Sequence, residues 1–155
     1  MAISLAARRG HREIVSLLVT NRASLKARDD DKLTPLILAT IGSHADCTGY
    51  FLRAGSRVDA TDIRDCTPLI LASESGYFEV VKVLLSFKAD VGISCKSRAQ
   101  AIHTAAKAGS LNVGELLISR GASINAVSEV SYETPLYFAL DRSHHHLPGG
   151  FSSKG

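Results

Sequence analysis

The sequence has no apolar run approaching the roughly 20 residues that a membrane-spanning helix needs, so membrane insertion is not expected. Its start, MAISLAARRG, lacks the basic, then apolar, then small order of a secretory signal. Cysteine is scarce. Cys47, Cys66 and Cys95 are odd in number, widely spaced and free of any Cys-x-x-Cys, which argues for reduced thiols rather than a disulfide framework. Cytoplasm is the compartment this implies, with the nucleus as the alternative. An excess of one charge is also missing: 18 basic and 15 acidic residues leave a formal +3. The close clusters are short, Arg8-Arg9 and Asp29-Asp30-Asp31. A nucleic-acid surface usually shows as a basic stripe, so no specific nucleic acid is expected, only weak binding set by salt. Nor is there a His-Glu-x-x-His, a glycine-rich phosphate loop, a Gly-x-Ser-x-Gly elbow or a kinase signature. Enzyme activity and cofactors therefore have no support in the sequence. What is present is an ordinary folded composition, 45% hydrophobic and 21% charged, in a chain long enough for one domain with a real core.

The chain also repeats itself. The hexapeptide TPLILA stands at Thr34–Ala39 and again at Thr67–Ala72, 33 positions later. Extending that period finds MAISLAARRG at Met1, QAIHTAAKAG at Gln100 and, one residue late, TPLYFALDRS at Thr134. Counting from the threonine, position three is Ile3, Leu36, Leu69, Ile102 and Leu136, and position six is Ala6, Ala39, Ala72, Ala105 and Ala139. Position ten is always small: Gly10, Ser43, Gly76, Gly109 and Ser143. Units near 1–33, 34–66, 67–99 and 100–133 follow, with a partial unit at 134–142 and a mobile tail at 143–155.

Each unit reads as a helix, a turn and a second helix. Threonine caps free amides at a helix start, and proline tolerates the first helical position. Helix pairs are expected to begin near Ala2, Pro35, Pro68, Ala101 and Pro135. The glycines at position ten supply a left-handed stop. The second helix, as in GYFEVVKVLLSFKAD, carries Val80, Val81, Leu84 and Leu85 at helical spacing. The alanine at position six fits two helices in close approach, whereas Ser75 and Ala108 should be exposed. Alone, such a unit cannot bury its apolar face, so neighbours must stack.

TPLILASESGYFEVVKVLLSFKADV and SLAARRGHREIVSLLVTNRASL resemble ankyrin repeats, and the likeness covers about Met1 to Arg142. The resemblance implies an all-α solenoid of stacked helix-turn-helix units joined by β-hairpin loops. The family's histidine after leucine survives as His103, and its hairpin glycine is replaced by Lys32, Asp65 and Arg98. Unit two is the most worn, with ADCTGYFLRAGS where paired β-branched residues are usual. Neither end reads as a polar capping repeat, so the chain reads as a piece of a longer array or a shortened product of one. The unit-five helix should then be the weakest part and a route to weak self-association.

Most chemistry-bearing side chains already have a place in the frame. Cys47 aligns with Ile14, Val80 and Val113 and should be packing; Cys66 falls in a hairpin, where an exposed, mildly reactive thiol would fit. His11 and His44 follow the turn residue and should cap it. The run His144–His146 fits a solvated tail better than a metal site, because consecutive side chains converge poorly on one ion. In the family, the surface made by hairpin tips and the exposed side of each first helix binds other proteins. Carrying the frame across gives Arg8, Arg9, Glu74, Ser75, Lys107, Asp141 and Arg142 on first helices. On the hairpins it gives Asp30, Asp31, Leu33, Ile63, Arg64, Lys96, Ser97, Glu129, Val130 and Tyr132. Leu33, Ile63, Val130 and Tyr132 are expected to be exposed among the charges, as interface anchors are. A protein partner of unknown identity is the expected ligand, with a structural or regulatory array inside a larger protein as the alternative.

Overall fold

The structure, a computed structural model, describes residues 2–126. The partial fifth unit, its self-association face, the tail, the three histidines, Asp141, Arg142, Glu129, Val130 and Tyr132 lie outside the described residues.

Within them the chain forms four helix pairs: α1 (Ala2–Arg8) and α2 (Arg12–Thr20), α3 (Pro35–Ile41) and α4 (Ala45–Arg53), α5 (Pro68–Glu74) and α6 (Phe78–Ser86), α7 (Ala101–Ala108) and α8 (Leu111–Ser119). All four begin where the repeat frame places them. The reason is local at α3 and α5. The hydroxyls of Thr34 and Thr67 accept the N–H groups of Ile37 and Ile70, each at 3.3 Å, and proline fills the first helical position.

The helices stack in two rows. An inner row runs α1, α3, α5, α7, and an outer row runs α2, α4, α6, α8. The alanine column shows what sets their spacing: Ala39, Ala72 and Ala105 are each 0% exposed. Around it pack Ile3, Leu36, Leu69 and Ile102 from the inner row and Val15, Phe51, Leu84 and Leu117 from the outer row. One apolar core thus threads the four described units, as a solenoid requires. Ala108 departs from expectation: it is half-buried, although Ser75 at the same position of the frame is exposed.

Every described residue with positive φ falls on one of three positions of the 33-residue frame. The turn between helices uses Gly10, Ser43, Gly76 and Gly109; the end of the second helix uses Arg22, Gly55, Lys88 and Gly121; the hairpin tip uses Lys32, Asp65 and Arg98. Side chains stand in a left-handed conformation at six of these, where a Cβ is disfavoured by about 1–2 kcal/mol. The frame therefore dictates the backbone even where the residue type does not favour it.

The connecting hairpins are tighter than the resemblance suggests. Each tip is closed by two backbone bonds. The N–H groups of Asp29, Asp62 and Cys95 donate to Leu33 O (3.3 Å), Cys66 O (3.1 Å) and Ala99 O (3.1 Å). Those of Lys32, Asp65 and Arg98 donate back to Asp29 O (2.9 Å), Asp62 O (3.1 Å) and Cys95 O (2.7 Å). Among the described residues their only β pairing is the isolated bridge between Ser94 and Gln100.

Candidate functional site

The hairpin tips are organised by one side chain apiece, exposed in the first tip and buried in the next two. Asp29 Oδ1 accepts the N–H groups of Asp31 (3.1 Å) and Leu33 (2.8 Å). In the next tip Asp62, only 3% exposed, accepts from the N–H groups of Arg64 (2.8 Å) and Cys66 (2.9 Å) and from Arg64 Nε (3.1 Å). That bond holds the Arg64 guanidinium firmly protonated, above its ordinary value. In the third tip Cys95 takes the aspartate's place: its Sγ lies 2.9 Å from Ser97 Oγ and donates to Ala99 O at 3.3 Å.

Neighbouring tips are then joined. Ile63 N–H donates to Asp31 O at 3.0 Å and Lys96 N–H to Arg64 O at 2.9 Å, while Lys96 Nζ reaches Ile63 O at 2.7 Å. These bonds align Asp30, Asp31, Ile63, Arg64, Lys96 and Ser97 in one exposed row, with Ile63 45% exposed. Arg8, Arg9, Glu74, Ser75 and Lys107 are exposed at the ends of the inner helices. Leu33 is a correction. It is half-buried against the core, because the bond to Asp29 folds its backbone inward. Ile41 is an exposed apolar residue that sequence reasoning missed, 38% exposed in the same column as Arg8, Glu74 and Lys107. Its column, rather than its type, was the available signal.

The cysteines divide by environment. Cys47 is buried, and that burial pushes its thiol up although the Arg12 charge partly opposes it. Cys66 is not the exposed thiol expected from its hairpin position; it is buried, and desolvation with its Cys95 neighbour pushes it to about 12. Burial also pushes the Cys95 thiol up. Its contacts with Ser97, Cys66 and the Ala99 backbone outweigh that and bring it below the ordinary range.

The histidines serve structure. His44 caps no amide of its own helix; its Nε2 pairs with Arg8 O at 3.0 Å, and its ring fills the space over Gly10 and Gly42. His11 makes no cap bond at α2. His103 Nδ1 accepts from Gln100 N–H at 3.2 Å and Nε2 pairs with Ala126 O at 2.9 Å, tying the start of unit four to the loop after its second helix. Burial lowers the His103 pKa from 6.5, the Ala126 carbonyl opposing. No group of His, Cys, Asp and Glu among the described residues is arranged to hold a metal. No described helix is long and apolar enough to cross a membrane.

Stacked helix pairs with joined tips are the arrangement of an ankyrin array, and direct comparison agrees. A family model described as ankyrin repeats (three copies) matches residues 3–95, and a single ankyrin-repeat model matches residues 100–129. The chain belongs to the ankyrin-repeat family. It is 35% identical over 123 residues to the Caenorhabditis elegans ankyrin repeat and KH domain-containing protein mask-1, covering 78% of this chain and 5% of that protein. It is 31% identical over 108 residues to human ankyrin repeat and SOCS box protein 16, covering 70% of this chain and 24% of the relative. Against the chicken nuclear factor NF-kappa-B p105 subunit it is 30% identical over 148 residues, 90% of this chain and 15% of that one. The chain thus spans a quarter or less of each of these relatives. Ankyrin repeats are, as a family, protein–protein interaction modules.

Proposed function

We propose that the chain binds a partner protein along its row of hairpin tips and inner-helix ends. The observation that carries this reading is the inter-tip bonding, Asp31 to Ile63 and Arg64 to Lys96, which fixes the exposed side chains before a partner arrives. A pre-ordered surface loses less entropy on association than a mobile one. Ile63 and Ile41 supply apolar anchors. Arg8, Arg9, Asp30, Asp31, Arg64, Glu74, Ser75, Lys96, Ser97 and Lys107 supply the polar surround. Glu129, Val130 and Tyr132 extend the same row by the repeat frame. Leu33 contributes only its exposed edge.

The size of the matched relatives favours a related reading, in which the array is the binding or regulatory part of a larger protein. One experiment addresses the surface. Native extract is passed over the intact array and over an Ile63→Ser, Lys96→Glu variant with an unchanged melting curve. The reading expects a protein retained by the first and lost by the second. Equal retention by both would move the surface elsewhere.

A further inference from the structure

A cleft of about 670 Å³ lies between units one and two, within the usual size range for a small ligand. The loops after α2 and α4 flank it, it is open to solvent, and its polar lining is Ser24, Thr34, Ser56 and the exposed Lys26, Arg28 and Arg57. Three of these are cations, and no carboxylate lines the cleft. None of the three cationic side chains is in an ion pair or a side-chain hydrogen bond among the described residues.

The repeat frame provides an internal control. At the next junction, between units two and three, the residues aligned with Lys26 and Arg57 are Asp59 and Asp90, and Arg28 becomes Thr61. There Asp59 Oδ1 accepts the N–H of Asp90 at 3.2 Å, stitching the two loops together. With Lys26 in that place no such stitch can form.

Arg57 itself breaks a local rule. In the other three units its position holds an acceptor that caps the turn: Ser24 takes Lys26 N–H at 3.3 Å, Asp90 takes Gly92 N–H at 2.8 Å and Ser123 takes Asn125 N–H at 3.3 Å. A guanidinium accepts nothing. The turn thus loses its cap in the one unit where the cleft gains a cation.

Like charges gathered without a counter-charge repel, so the cleft is complementary to an anion of more than one charge. We infer that it binds a phosphate monoester. Such a group carries close to two charges at neutral pH and three strong acceptor oxygens. Two arginine forks and one lysine suit that geometry better than they suit a single carboxylate. The Ser24 hydroxyl already accepts from Lys26 N–H, so its own proton remains for donation. This site is separate from the tip row of the proposed function, and either reading can fail without the other.

The ester could be a free phosphorylated metabolite or a phosphorylated side chain, and the test separates these sources. The full chain, labelled with nitrogen-15, is titrated with glucose 6-phosphate and with a capped phosphoserine tripeptide; glucose and the serine tripeptide serve as uncharged controls. The expected result is saturable shifts at amides 24–28 and 54–57 with a phosphate probe and none with its control. An Arg28→Gln, Arg57→Gln double variant should weaken that binding by at least about tenfold, while Lys88→Gln leaves it unchanged. Tighter binding of the tripeptide assigns the site to a phosphorylated side chain, and equal or tighter binding of the sugar phosphate assigns it to a free ester. The inference is overturned if neither phosphate saturates those amides up to on the order of 10 mM. It is equally overturned if Lys88→Gln weakens binding as much as the double variant, since diffuse attraction would then suffice. Lys26→Gln, exposed and outside the helices, repeats the measurement should the double variant fold poorly.

Discussion

Units two and three begin with the same six residues and then diverge. Helices α3 and α5 superpose in role: both are capped by threonine, opened by proline and buried along Leu36–Ala39 and Leu69–Ala72. Their outer partners differ. In α6 Val80, Val81, Leu84 and Leu85 are buried in the regular manner. In α4 the corresponding stretch contains Cys47, Thr48, Gly49, Phe51 and Leu52. Thr48 spends its hydroxyl on His44 O at 2.9 Å, and Gly49 offers no side chain. Unit two compensates through Tyr50. The Arg12 guanidinium sits 4.0 Å from the centre of its ring, and its hydroxyl accepts from Ser16 at 3.3 Å. The contrast teaches that the inner helix defines the repeat, whereas the outer helix tolerates substitution if it keeps contact with its neighbours.

The largest effect should therefore fall on the shared part. Ala39→Leu and Ala72→Leu should each destabilise by roughly 1–3 kcal/mol, because both alanines are fully buried where two helix rows meet. Ser75→Leu, at the exposed rim, should shift the melting temperature little. A large loss at Ala72 with none at Ala39 would mean that the two units are not equivalent after all.

The inner helices were readable from the sequence because a buried alanine column leaves a periodic trace. The tips were readable only in part. Lys32, Asp65 and Arg98 take the left-handed position without glycine, since the backbone bonds of the turn over-determine it. Leu33 was placed outside because its position is exposed in outline, yet the bond to Asp29 draws it in. Ile41 was passed over because isoleucine reads as core. The cationic cleft was hidden for a different reason. It is assembled from two loops one repeat apart, and in the sequence the cations of the first, Lys26 and Arg28, stand directly before the acidic run Asp29–Asp31.

The next contrast lies in the tips. Asp62→Ala strips the acceptor from two N–H groups, one of them on buried Cys66, and should cost about 1–3 kcal/mol by chemical denaturation. Cys95→Ala removes a weaker partner and should cost less. Equal losses would show that the thiol organises its tip as well as the carboxylate does.

Unit two also carries a correctable weakness. A Cβ built on Gly49 would meet Val83 Cγ1 at 3.6 Å and Arg53 Nη1 at 3.4 Å, which is ordinary contact. Gly49→Ala should then stabilise by about 0.5–1 kcal/mol, the usual gain at a helix interior. A fall in melting temperature would instead show that α4 and α6 need the closer approach glycine allows.

The smallest effect is chemical rather than energetic, and it separates the thiols at the ends of units two and three. Cys66 is held protonated to about 12, whereas the contacts of Cys95 bring it below the ordinary value. The thiolate is the nucleophile, so limited iodoacetamide at pH 8 should label Cys95 first and leave Cys66 untouched, as peptide mass spectrometry would read. The linkage to stability has a definite sign. A thiol raised in the fold contributes stability in full below its unfolded value of 9.0 and loses it as pH climbs toward 12. Native protein should accordingly become easier to unfold across that alkaline window, and Cys66→Ala should flatten the dependence. If Cys66 is alkylated as fast as Cys95 at pH 8, the tip is opening on the reagent's timescale, and the pre-ordered row of side chains would lose its physical basis.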